Sequence, residues 1–255
     1  MTDRSDGTTN KVPGREAMER PLPRRFYERA EAGQHDQGFV VLLDGRPART
    51  PGKKLLAVPG HPLAAALADE WASQADKIDP ATMPLTRLVN TIVDGVSAHA
   101  EAVRGEIVKY AGSDLVCYRA DFPAELMKRQ AAAWDPVLDW AHRALGARFF
   151  LAEGVMPVAQ LPETLDRVAR HVDRLDSFRL GSVHVMMTLT GSALLALAVQ
   201  DGGIDAESAW VRAHVDEDFQ IEQWGDDAEA SERRARRKAE MDAAARLLTL
   251  LERPT

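Results

Sequence analysis

The chain has 255 residues, 45% of them hydrophobic and 28% charged, the profile of an ordinary soluble globular protein long enough for one large domain or two smaller ones. A net charge of −7 argues against nucleic acid or an anionic membrane surface as the main partner, and no apolar run is long enough to span a bilayer. The single cysteine, Cys117, excludes an internal disulfide framework and fits a reducing compartment.

Residues 1–22 show no hydrophobic period and read as a flexible tail. This stretch is neither a secretory signal nor an Arg-rich, acid-poor transit peptide, so a cytoplasmic protein is expected. Order should begin near Arg24-Arg25-Phe26-Tyr27. The β-branched run from Phe39 to Leu43 runs into Asp44-Gly45, a hairpin turn signal, and a second short strand is expected over 55–58. Helices then follow over 61–74, 83–96 and 98–110. In the first of these, Leu63, Leu67 and Trp71 share one face, which makes Trp71 a candidate structural packing residue. The run 115–118 is short, apolar and β-prone, and could return to the sheet, with Cys117 buried in it. Beyond Pro123 the pattern is helical over 124–145, 162–175, 178–199, 206–224 and 228–251, with Gly146, Gly154, Pro157 and Gly202-Gly203 as stops. The expected fold class is therefore α+β: a tail over 1–22, a small domain with an antiparallel sheet over 23–122, and a helical bundle over 123–255.

Within 206–224 a helix places Trp210, Ala213, Glu217, Ile221 and Trp224 on one stripe, with Val211, Val215 and Phe219 on nearly the opposite side. Apolar rows on two sides predict a helix sandwiched between neighbours, ended by Gly225. Glu217 would then be a carboxylate on an apolar stripe between two tryptophans, either an ion-pair partner or the centre of a binding surface. Glu240 heads a comparable stripe with Ala243, Ala244, Leu247 and Leu251. The basic run 233–238 follows the acidic run 226–232, and the two can pair at helical spacing.

Motifs for chemistry are sparse. Six residues separate Gly45 from Gly52, where a phosphate-binding loop has four, and Lys54 stands where that loop needs Ser or Thr. No dinucleotide fingerprint, no metal-ligand spacing among the histidines and no nucleophile elbow is present. Histidine and acidic residues at His214, Glu217 and Asp218 leave open a small-molecule hydrolase or transferase, and the helical part leaves open a generic scaffold. Neither needs a metal or cofactor, and elimination favours a binding protein over an enzyme.

Several segments, in order, resemble one known family. They are Glu70-Trp71 with Ser73-Gln74 and Ile78; Met83-Pro84-Leu85-Thr86 with Asn90-Thr91; Asp114 to Arg119; Trp134-Asp135-Pro136 with Trp140-Ala141; and Glu217, Phe219-Gln220-Ile221 and Trp224-Gly225. From about Arg25 onward the chain is similar to the assembly chaperones that handle the α subunit of the F-type ATP synthase head, and to bacterial members in particular. Asp218-Phe219 departs mildly from the Glu-Tyr or Glu-Phe of that family. The resemblance implies a non-catalytic two-domain protein without cofactor; a monomer is expected, although the sequence does not fix the oligomeric state. It would bind the unassembled α subunit transiently and prevent its aggregation until the β subunit takes its place. Glu217, Gln220 and Trp224 are the expected client-binding residues, with Glu240 as a further candidate.

Overall fold

The computed structural model describes residues 21–154 and 158–252. Most of the expected tail, residues 1–20, and the expected stop at Pro157 lie outside the described residues.

The N-terminal part is a four-stranded antiparallel sheet. Strand β1 (Ala30–His35) pairs along its length with β2 (Gly38–Leu43), from Ala30↔Leu43 to His35↔Gly38. The Asp44-Gly45 turn returns the chain into β3 (Arg46–Pro47), both turn residues taking positive φ, 49° and 77°, as a tight hairpin with right-handed twist requires. Strand β4 (Ala57–Val58) pairs with the other end of β2. The inward side chains Val41 and Leu43 are buried against α1 (His61–Ala72), which contributes Leu63, Ala64, Leu67 and Ala68.

Helix α1 is joined to α2 (Pro84–Asp94) through side chains. The Glu70 carboxylate accepts from the backbone N–H of Leu85 at 2.9 Å and of Thr86 at 2.7 Å, satisfying orphan donors at the start of α2. Gln74 accepts from Asp79 N–H at 2.7 Å and donates to Thr82 Oγ1 at 3.0 Å, fixing the loop between the two helices. Helix α3 (Ala100–Ala111) follows. The run 115–118 does not return to the sheet. The Asp114 carboxylate accepts from Val116 N–H at 3.2 Å and winds Leu115–Cys117 into a tight turn. Only β5 (Tyr118–Arg119) remains extended, and it pairs in parallel with β6 (Ala152–Glu153), apart from the main sheet.

The rest is helical: α4 (Ala124–Trp140), which ends in a wider turn over Ala141–Leu145, α5 (Pro162–Val172), α6 (Ser177–Thr190), α7 (Ala193–Gln200), α8 (Ala206–Ala213), α9 (Val215–Trp224) and α10 (Ala228–Glu252). One hydrophobic core runs from Tyr27 and β2 through α1–α4 to α6, α7 and α10, so the sheet and the bundle share an interior. Gly181 marks its tightest helix approach, since a Cβ there would lie 2.4 Å from Ile92 on α2.

Two of the expected helices are broken. The segment 178–199 divides at Gly191, whose φ of 70° is left-handed, and Ser192 then caps α7 by accepting from Leu195 N–H at 3.0 Å. The segment 206–224 divides at His214, whose φ and ψ of −111° and 18° are outside the helical range. The His214 ring lies on Trp210, with centroids 4.0 Å apart, and donates from Nδ1 to the Trp210 carbonyl at 2.7 Å.

Candidate functional site

The break at His214 overturns the stripe expected from the sequence. Trp210, on α8, is 5% exposed in the core, whereas Trp224, at the end of α9, is 80% exposed. Helix α9 is not sandwiched, for it has no buried residue. Polar contacts hold it instead. Arg129 of α4 donates from Nη1 to both carboxylate oxygens of Glu222, each at 2.8 Å, and its guanidinium lies 5.4 Å from the centre of the Phe219 ring. Gln130 of α4 donates to Asp216 at 2.8 Å, and Arg234 of α10 meets Asp218 at 2.5 Å.

These contacts occupy one side of α9 and leave the other to solvent. Glu217, Gln220 and Trp224 are all exposed, and their spacing of three and four puts them on one outward stripe. Glu217 is thus no half-buried carboxylate: its side chain is 46% exposed, 3.7 Å from His214 Nε2. Burial is the largest influence on His214 and lowers its pKa, so the ring is neutral at pH 7 and gives Glu217 no full counter-charge. His214, Glu217 and Asp218 do not form an acid–base triad. His214 is sealed beneath Trp210, and Asp218 is drawn away to Arg234.

Glu240 is not part of the α9 stripe. It pairs with Arg87 of α2, and the two line a hollow of about 180 Å³ with Pro84, Leu88, Thr91 and Val185. Trp71 continues the Leu63–Leu67 face of α1 but sits half-buried at its rim. Its ring meets Tyr27 edge-on at 5.6 Å, and Tyr27 Oη donates to its carbonyl at 2.7 Å. It lines a hollow of about 500 Å³ with Phe26, Pro47 and Arg49. Cys117 is buried, and burial above all pushes its thiol pKa up to about 12, the opposite of an activated nucleophile.

Reading by spacing missed the side chains that lock distant elements together. Asp114 is fully buried and accepts from Ser192 Oγ at 2.6 Å and Leu194 N–H at 2.9 Å, joining the turn after α3 to the start of α7. Trp134, 1% exposed, donates from Nε1 to the Arg212 carbonyl at 2.7 Å, and Arg119 pairs with Asp135 at 2.8 Å. Only the family resemblance of these segments pointed to them.

Comparison with known proteins identifies the architecture. The crystal structure of Atp12 from Paracoccus denitrificans superposes with a TM-score of 0.85 at 42% identity, covering 89% of this chain and 98% of that one. The chain belongs to the ATP12 chaperone family. A family model described as ATP12 chaperone protein matches residues 24–142. The Atu1473 protein of Agrobacterium tumefaciens superposes with a TM-score of 0.88 at 46% identity, over 92% of this chain and 88% of that one. Protein atp12, mitochondrial, of Schizosaccharomyces pombe is 22% identical over 228 residues, 83% of this chain and 78% of the yeast protein. The α+β fold and the kinship with ATP synthase assembly chaperones, both expected from the sequence, are borne out. No helix among the described residues is long and apolar enough to cross a membrane.

Proposed function

We propose that this chain binds the unassembled α subunit of the ATP synthase and protects it from aggregation until the β subunit replaces it. It acts in the cytoplasm as a monomer, without catalysis or cofactor. The α9 stripe is the client-binding surface in this reading, with Glu217, Gln220 and Trp224 as its contacts.

One observation carries the assignment of the surface. Glu70, Gln74, Asp114, Trp134 and Asp135, from the other family-like segments, spend their side chains on internal caps and latches. The α9 segment instead turns Glu217, Gln220 and Trp224 outward. A tryptophan 80% exposed stands beside an amide and a carboxylate whose contact is the His214 ring at 3.7 Å, and none of the three side chains is packed in the core. Such a tryptophan suits an interface anchor with polar contacts around it. Glu240, tied to Arg87, serves in this reading to hold α10 against α2 behind the surface.

A pull-down from lysate should enrich the α subunit over the β subunit. Glu217→Gln and Trp224→Ala should melt like the wild type, because neither side chain is packed, while protection of the α subunit from aggregation falls by about tenfold or more. Full protection by the Glu217→Gln/Trp224→Ala double variant would remove α9 from the client site. Equal capture of both subunits would remove the proposed client.

A further inference from the structure

Arg167 and Arg170 on α5, and Arg174 in the turn that follows it, are spaced by three and four and point away from the buried Thr164, Val168 and Val172. With Ala144, Leu145 and His171 they line a hollow of about 220 Å³ that has no carboxylate in its wall. Among the described residues, none of the three guanidinium groups forms a salt bridge; Glu163 and Asp166 lie one turn before Arg167 and Arg170, and two other nearby acids are engaged elsewhere. Asp173 leans toward Arg104 at 3.8 Å, and Asp201 meets His171 at 3.1 Å. The Arg167 guanidinium lies against Gly146, where a Cβ would come within 2.9 Å of it. Three cations that line one hollow without a direct ion pair repel one another, and the acids of the same helix offset this only from outside its wall.

We propose that this hollow docks a short acidic segment of a partner polypeptide, one that displays two or three Asp or Glu side chains. Guanidinium groups bind carboxylates through paired, directional hydrogen bonds. Arg167 and Arg170 are one helical turn apart, about 5 Å along the axis, and Arg174 extends the row past the helix end, enough for two carboxylates about 7 Å apart on one face of an extended strand. Glu163, Asp166 and Asp173 flank the arginines in sequence and confine the basic surface to one short cluster, which fits two or three carboxylates but not the continuous charge of nucleic acid or an anionic bilayer. The hollow is built by α5 and the end of α4 and shares no residue with the α9 stripe, so the two surfaces fail or hold separately.

The test is fluorescence anisotropy of the full chain at about 50 mM salt with a labelled Gly-Ser peptide carrying glutamates at alternate positions. Saturable binding is expected, absent when the glutamates are replaced by glutamines. The Arg167→Gln/Arg170→Gln/Arg174→Gln variant should bind at least about tenfold more weakly, and Arg170→Gln alone should show part of that loss if the triple variant does not fold. Arg233→Gln, at an exposed arginine of α10 already paired with Glu229 at 2.9 Å, should bind like the wild type. Undiminished binding by the arginine variants, equal binding of the glutamine peptide, or equal loss in Arg233→Gln would overturn the proposal. So would displacement of the peptide by an oligonucleotide or phosphatidylglycerol vesicles of matched charge at lower concentration.

Discussion

Asp114 is the side chain on which the fold should depend most visibly. It is fully buried and accepts three hydrogen bonds, from Ser192 Oγ and from the backbone N–H groups of Val116 and Leu194, across 78 and 80 residues of sequence for the two α7 contacts. Asp114→Ala strands all three donors in the core and removes the carboxylate at the start of α7. Each unsatisfied buried donor costs about 1–3 kcal/mol, so a total loss of about 3–5 kcal/mol is expected, allowing for partial relaxation. In a chain of this length 1 kcal/mol moves the melting temperature by about 2–4 °C, so the variant should melt about 6–20 °C lower. Calorimetry at pH 8 measures this directly. A variant that melts within a degree of the wild type would refute the reasoning, because three buried donors would then have found other partners.

The same residue sets a pH dependence. Burial, outweighing the hydrogen bonds from Ser192, Leu194 and Val116, raises its pKa to about 6, against about 3.9 in the unfolded chain. The folded state therefore holds this proton more tightly. The contribution is fully present below about pH 4 and is lost as pH rises through about 6, amounting to about 3 kcal/mol at most. Stability curves between pH 4 and 8 should show this component in the wild type and not in Asp114→Asn.

Trp71→Arg loses the edge contact with Tyr27, but a half-buried site lets the new guanidinium reach the adjoining hollow, so the cost should be about 2–3 kcal/mol, seen as a lower melting temperature and soluble yield. An unchanged melt would show that Trp71 does not pack the sheet. Cys117 should resist a thiol reagent in the native protein and react only on unfolding, and labelling of the native protein at the rate of a free thiol would contradict its burial.

What the sequence disclosed follows from how local the deciding interactions are. The hairpin at Asp44-Gly45 and the helices α1, α2, α3 and α10 were legible because turn chemistry and apolar spacing lie within a few residues of one another. The division at Gly191 was not, because the glycine alone is compatible with a helix. The break is set by Ser192 and by Asp114, a residue far away in sequence that caps the new helix start. His214 likewise breaks its helix by turning its ring back onto Trp210, an arrangement no periodicity reveals. The misplaced burial of Glu217 follows from that single break: a continuous helix would carry Trp210 and Trp224 on one stripe. The shorter helices send one into the core and the other into solvent.

That division also explains how α9 can present a surface. A helix that buries no residue gains little from apolar packing, and α9 is tethered by Arg129, Gln130 and Arg234 from two neighbouring helices. The tethers reach Asp216, Asp218 and Glu222, all acidic, so the inner side of the helix is fixed by charge and its outer side is relieved of any packing duty. Glu217, Gln220 and Trp224 are therefore free to be chosen for what they contact outside the chain. The other family-like segments had no such freedom. Glu70 must cap α2 and Asp114 must cap α7, and replacing either strands backbone donors inside the fold. That contrast is what supports the proposal that the α9 stripe meets the partner.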